Sequence, residues 1–356
     1  MSKRYLILRS AATETCGVEE FARQLAQRLP GPAETWVLGE GFGRFLARLR
    51  AVDGIVLNFP VVAWKRKLVW PALTALAARL RRREVLVVLH EWAALDWKRR
   101  LVLAPVMALA SRIVFSAPEI ATEFADSPLS RVATDDRDVI PIPPNLRAPP
   151  QRRASAASRR LDEERARGRI ILAQFGSIYP KKQSKAVLQV AERLIARGHD
   201  VFTVFIGSFI KGSDDVESDF WGSVQATGLS DRVLVTGYVG DEAELFALFE
   251  AVDVFCYVFA EGLTSRRASV LAAALFGKPV VVNAPAAADA LQHHSLYLKL
   301  IETGLIRLVA IDADADSLAE AVLSATTDAP AAIDLTSELD RLWQVAGDVI
   351  VGRRGD

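Results

Sequence analysis

Cysteine is almost missing from this chain. Cys16 and Cys256 are the only two, too far apart to suggest a disulfide framework or a thiolate metal site, and such usage fits a reducing cytoplasm. Histidine is scarce as well. His293 and His294 stand side by side without a spaced acid, and the His-Glu-x-x-His pattern of a zinc helix does not occur. No window of about 18 uncharged apolar residues exists, so no membrane span is expected. The opening "MSKRYLILRSAATE" has too short an apolar core for a signal peptide and reads as a first β-strand. There is no P-loop and no serine nucleophile elbow. "DDVESD" lacks the glycine-centred spacing of a calcium loop and reads as a solvated loop. Gly39-x-Gly41-x-Gly43 falls short of a dinucleotide fingerprint, because Arg44 stands where the third glycine belongs and the first strand would be its usual home.

What is present is an alternation. Short, unalternating apolar runs such as "YLILRS", "GIVLNF", "VLVVLHE", "RIILAQFGS", "VFTVFIGS" and "KPVVVNAP" read as strands. Amphipathic stretches such as "VEEFARQLAQRL", "LVWPALTALAARLRRR" and "KAVLQVAERLIARG" read as the helices between them. That pattern predicts parallel sheets covered on both faces. At 356 residues the chain predicts two domains. Residues 1–150 form the first, 151–168 ("APPQRRASAASRRLDEERARG" and its surroundings, rich in Pro, Ser, Ala and Arg) a linker with a short helix at its end, and 169–333 the second. Residues 334–356 read as a last helix. The expected fold class is α/β, with two doubly wound Rossmann-like domains facing across a cleft, and ligands at the carboxyl ends of the strands.

Charge is asymmetric. Residues 1–150 carry 22 Lys+Arg against 15 Asp+Glu, and the remainder 22 against 28. A basic N-terminal half suggests an anionic partner there, or only solvated arginine faces. The basic residues follow no nucleic-acid module, and the second half is acidic, so no nucleic acid is expected. "VVAWKRKLVW", "ARLRRRE" and "EWAALDWKRRLVL" interleave tryptophan with Lys and Arg. Such a mixture suits an anionic membrane surface, and it suits equally two amphipathic helices that keep their aromatics in the core.

Several loops carry candidate chemistry. Thr13, Thr15, Cys16 and Gly17 are small residues leading into a helix, where a glycine lets a phosphate reach backbone N–H groups or simply makes a turn. Gly176 opens "GSIYPKKQSK", and Lys181, Lys182 and Lys185 follow near a helix start. Lysines there oppose the helix dipole unless a diphosphate neutralises both; otherwise they form a solvated face. His90, just past a strand, suits orienting a sugar hydroxyl or a structural hydrogen bond. "AEGLTSRRASVLAAALFGKPVV" places Glu261, Arg266 and Arg267 between a buried strand and a buried helix. Charges in such a place are costly unless paired or matched by a ligand. Ser265 and Ser269 can donate to a phosphate or ribose at that helix's N-terminus, and the bland reading is an Arg–Glu pair pinning the loop.

"GSIYPKKQ", "VTGYVGDEAELFALFEAVDVF" and "EGLTSRRASVLAAALFGKPVV", with "CGVEEFARQLAQRL" in the first half, resemble the GT-B glycosyltransferases of the family 4 (group 1) type. The resemblance is strongest over residues 170–285 and weak over 30–140. It implies transfer of a sugar from a nucleoside diphosphate sugar to an acceptor hydroxyl, with retention at the anomeric carbon and no metal or other cofactor. Gly17 would line the phosphates and Lys182 would be the phosphate-binding lysine. Glu261 would be the first glutamate of the Glu-x7-Glu motif, touching the donor sugar, and the backbone at Tyr238 and Val239 would hold the base. The helix near Trp343 would return to the first domain. The departures are Ser177 at the usual arginine and Ser269 at the second glutamate; counting back from Gly277 puts Ala272 there instead. Arg266 or Arg267 could replace the lost arginine, and His90 would orient donor or acceptor. The partners expected are the nucleotide-sugar and a sugar, glycolipid or other hydroxyl acceptor, in polysaccharide or glycolipid assembly. The expected location is the cytoplasm, with a peripheral site at the inner membrane face. The competing reading is a catalytically silent protein of the same fold that binds a nucleotide or a protein partner.

Overall fold

The computed structural model describes residues 3–10, 17–60, 69–144, 149, 151–210, 215–328 and 335–353. The chain forms two compact units, one of residues 1–145 with 336–356, the other of residues 146–335.

In the first unit the chain alternates β1 (Tyr5–Arg9), α1 (Gly17–Arg28), β2 (Ala33–Val37), α2 (Phe42–Arg48), β3 (Gly54–Phe59), α3 (Val69–Leu80), β4 (Glu84–Leu89), α4 (Trp97–Leu109), β5 (Arg112–Phe115), α5 (Pro118–Ala125) and β6 (Arg137–Val139). The strands pair in parallel in the order β2-β1-β3-β4-β5-β6. β3 is buried along its whole length, as a strand covered on both faces must be. Helices on one face close a core around Leu57, Val87, Trp92, Met107 and Phe124.

The second unit begins with α6 (Ala156–Ala166), then β7 (Ile170–Phe175), α7 (Ser184–Ala196), β8 (Val201–Ile206), α8 (Val216–Ala226), β9 (Val233–Val235), α9 (Glu242–Ala251), β10 (Val254–Tyr257), α10 (Ala268–Leu275), β11 (Val280–Asn283), α11 (Ser295–Glu302), β12 (Ile306–Val309) and α12 (Ala315–Thr327). Its parallel sheet runs β12-β11-β10-β7-β8-β9. The stretch expected as a linker is therefore part of this unit. Ser155 and Ser158 form a reciprocal capping box that starts α6. The helix buries Leu161 and Glu164, and it packs on α9. Glu164 is wholly buried because Arg160, Arg167 and Arg169 all reach its carboxylate, at 2.7, 3.0 and 2.6 Å.

The final helix, α13 (Thr336–Ile350), belongs to the first unit. Trp343 is buried and stacks on Phe21 of α1, ring centroids 5.5 Å apart at 23°. Ala346 and Ile350 join the same core. Arg112 of β5 is buried and donates to Asp136, Asp138 and the Val349 carbonyl at 2.7, 3.1 and 2.6 Å, tying α13 to the sheet edge.

Candidate active site

In the second sheet, β7 lies between β8 and β10. The chain leaves β7 toward β8 on one side and resumes at β10 on the other. Loops leaving two such strands diverge and open a crevice at their carboxyl ends, where open α/β sheets bind ligands. The loop after β7 carries Gly176, Ser177, Tyr179 and Lys182. The loop after β10 carries Glu261, Ser265, Arg266 and Arg267, and runs into α10, whose first turn holds Ser269. The two loops are joined where the Ala260 N–H donates to the Lys181 carbonyl at 3.0 Å.

Lys182 is the unusual residue. It is 3% exposed, and its ammonium donates to the Phe175 carbonyl. It lies 5.4 Å from the Tyr257 ring centroid. Among the described residues no carboxylate reaches it. Burial, reinforced by the nearby Arg267, pushes its pKa down to about 7. Gly176 turns at φ 101°, a left-handed conformation suited to glycine, and a Cβ there would stand 2.8 Å from Lys182 Nζ and 3.6 Å from Ser269 Cβ. The absence of that Cβ brings backbone, ammonium and the first turn of α10 together.

Arg267 lies at the N-cap of α10. Its guanidinium pairs with Glu261, donates to the Tyr179 hydroxyl at 2.9 Å and covers the Phe259 ring at 4.3 Å. Its Nε, Thr264 Oγ1 and Ser265 Oγ are buried and without a hydrogen-bond partner among the described residues. A group of unmet donors beside a helix N-terminus is suited to an anion's oxygens. Two buried tyrosines hold the backbone there. The Tyr257 hydroxyl accepts from Phe175 N–H (3.3 Å) and donates to the Ser269 carbonyl (3.1 Å); the Tyr297 hydroxyl donates to the Arg267 carbonyl (2.9 Å). Burial raises both phenol pKa values, so both remain donors at neutral pH. Cys256, buried in β10 and pushed up to about 12, is an inert thiol.

The structure thus brings together Gly176, Lys182, Arg267, Glu261 and Ser269. Ser265 is buried beside them in the same loop, whereas Ser177 is exposed. Arg266 is half-buried. Tyr238 and Val239 follow β9, where Tyr238 is an exposed ring. In the first unit, Gly17 opens α1, and the loop before it (11–16) lies outside the described residues. His90 follows β4, buried, with its ring edge against Phe21 at 5.2 Å and Nε2 3.4 Å from Asn58 Oδ1. Tyr179, Tyr257, Tyr297 and Thr264 were not expected. For Tyr257 the signal was a polar tip inside the apolar run "VFCYVFA". Among the described residues no group of three or more His, Cys, Asp or Glu could hold a metal ion.

Residues 169–328 match the family described as Glycosyl transferases group 1. No curated protein matches the chain by sequence. Among solved structures, it is similar to HepE of Anabaena in complex with UDP and glucose, at 16% identity and TM-score 0.61, covering 99% of this chain and 95% of that one. It is also similar to the sucrose-phosphate synthase of Thermosynechococcus elongatus, at 17% identity and TM-score 0.58, covering 99% and 94%. A third is WaaG, a glycosyltransferase involved in lipopolysaccharide biosynthesis, at 12% identity and TM-score 0.55, covering 98% and 100%. With its two six-stranded parallel sheets, the chain has the GT-B fold.

Proposed function

We propose that the protein is a glycosyltransferase that moves a sugar from a nucleoside diphosphate sugar to an acceptor hydroxyl. The observation that carries this reading is Lys182, a buried cation that no carboxylate reaches among the described residues, placed at the switch point beside Gly176 and the start of α10. A structural lysine in such a position would be expected to have an acid partner. A departing diphosphate would supply the missing charge and restore the ammonium to its charged form.

In this reading Lys182, Arg267 and the N-terminus of α10 stabilise the leaving diphosphate, so that cations of the chain do the work a metal would otherwise do. Arg267 takes the part of the arginine replaced by Ser177, with Arg266 beside it in sequence. Ser265, Thr264 and Ser269 donate to phosphate or ribose. Glu261 accepts from sugar hydroxyls, exchanging part of its pairing with Arg267. The backbone at Tyr238 and Val239 holds the base, Gly17 approaches the phosphates and His90 orients donor or acceptor. Retention at the anomeric carbon and an acceptor on a polysaccharide or glycolipid complete the proposal; the likeness to WaaG supports the latter.

The test is a thermal-shift screen with UDP, GDP, ADP and TDP and their sugars, followed by an assay for transfer and donor hydrolysis. A selective shift with turnover is expected. A shift without turnover would point to the silent nucleotide-binding protein, and no shift with any diphosphate would remove the reading.

A further inference from the structure

Two helices of the first unit turn apolar residues to solvent. α3 and α4 pack side by side over the same core. On α3 the exposed positions include Leu73, Leu76 and Leu80, and on α4 Trp97, Leu101 and Pro105. Leu80 is 77%, Trp97 70% and Leu101 65% exposed. The spacing of three to four places these residues along the outer line of each helix, the side that a surface helix ordinarily gives to polar residues. Scattered exposed apolar residues need no explanation, but an aligned face of them does. Trp92, from the same basic-aromatic stretch, lies in the core, so the two expectations for these segments divide residue by residue.

The charge around this face is predominantly positive. Residues 69–109 hold seven Lys+Arg against three acids. Arg81, Arg83 and Arg100 donate to the carbonyls of Leu46, Arg50 and Ala93, at 3.2, 3.1 and 3.0 Å, and Arg79 to the Ser111 hydroxyl at 3.1 Å. Those neutral partners fix the side chains without cancelling their charge. Among the described residues, only Arg99 of the seven has a carboxylate, Asp96 at 3.1 Å. α3 and α4 each cross between neighbouring parallel strands and so run in the same sense. The cations at the end of α3 and the start of α4 therefore lie at opposite ends of the apolar face. A second copy laid on that face would bring the same excess of cations to the contact, whereas an anionic surface complements it.

We propose that the outer face of α3 and α4 docks on an anionic lipid surface, with Leu76, Leu80, Trp97 and Leu101 entering the headgroup boundary and the arginines and Lys98 meeting lipid phosphates. No helix among the described residues is long and apolar enough to cross a membrane, so the contact lies on the bilayer surface. This goes beyond the transfer reaction and stands whether or not the chain transfers a sugar.

The test is flotation of the full chain with vesicles of phosphatidylcholine alone or mixed with phosphatidylglycerol. Binding is expected to the mixed vesicles only, weakened by salt. Trp97→Ser with Leu101→Ser should lower it at least about tenfold. Arg82→Gln with Lys98→Gln should lower it roughly fivefold for each cation removed. All four side chains are exposed, so the fold should hold, and the charge pair provides a reading independent of the apolar pair. No binding to the mixed vesicles would overturn the proposal, as would binding by both double variants as tight as that of the unaltered chain. Concentration-dependent self-association abolished by the apolar pair, without vesicle binding, would assign the face to a second copy instead.

Discussion

Each unit buries charge, and the two ways of doing so are instructive. Arg112 in the first unit is 6% exposed, and two carboxylates with a carbonyl satisfy its fork. Glu164 in the second is met by three arginines. Both are saturated, and their task is to hold elements together. Lys182 is buried as deeply and has one carbonyl. Burial alone therefore does not distinguish a structural charge from a functional one, whereas the completeness of the partner set does.

Substitutions at these positions should separate the two kinds. The largest effect is expected for Lys182→Met, with transfer kcat/KM falling about 10²–10³-fold while the melting temperature holds or rises, because an uncompensated buried charge is removed. Full turnover would refute the role given to Lys182. Arg112→Met should do the reverse, lowering unfolding stability by about 2–3 kcal/mol in a denaturant titration while leaving nucleotide affinity unchanged. That is the lower end for a broken buried pair, since Asp136 and Asp138 remain partly hydrated. If Arg112→Met abolished nucleotide binding with stability intact, the contrast would be lost.

pH offers a third way to separate them. The folded pKa of Lys182 is about 7 against an ordinary 10.5. Between those values the unfolded chain holds a proton that the folded one has lost, so this residue makes stability rise with pH from about 7 to 10.5. Diphosphate binding would return the proton, and affinity should fall by up to about tenfold per unit as pH rises above 7. Calorimetric titration across that range checks it: a flat profile, or the same slope in Lys182→Met, would detach the effect from Lys182. The smallest change is expected for Tyr297→Phe. Loss of its bond to the Arg267 carbonyl should cost about 1 kcal/mol of stability and raise the donor KM more than it lowers kcat. An unchanged KM would leave Tyr297 a purely structural residue.

Much of this was legible in the sequence. Unalternating runs such as "GIVLNF" and "VFTVFI" are wholly buried parallel strands, because a strand covered on both faces has no polar side to show. Gly176, Lys182 and Arg267 could be singled out because a glycine before lysines, or an arginine ahead of an apolar helix, breaks the local pattern. α6 was harder. Its inward residues include Glu164 and Ser158, so its buried stripe is polar and resembles a linker in composition. α5, α8 and α11 were not foreseen. α8 shows why, as it buries only Phe220 and Val224 and presents little periodicity. The anchoring roles of Tyr257 and Tyr297 depend on atoms of other elements, which spacing along the chain does not encode.

The return of α13 to the first unit has a consequence for how the chain folds. Phe21 and its neighbours lack Trp343, Ala346 and Ile350 until the last helix has been synthesised. The second unit is contiguous, Leu146–Leu335, so its contacts close without waiting for α13. On a ribosome the domain encoded first is then finished last, and an apolar face on α1 stays open while the second domain is made.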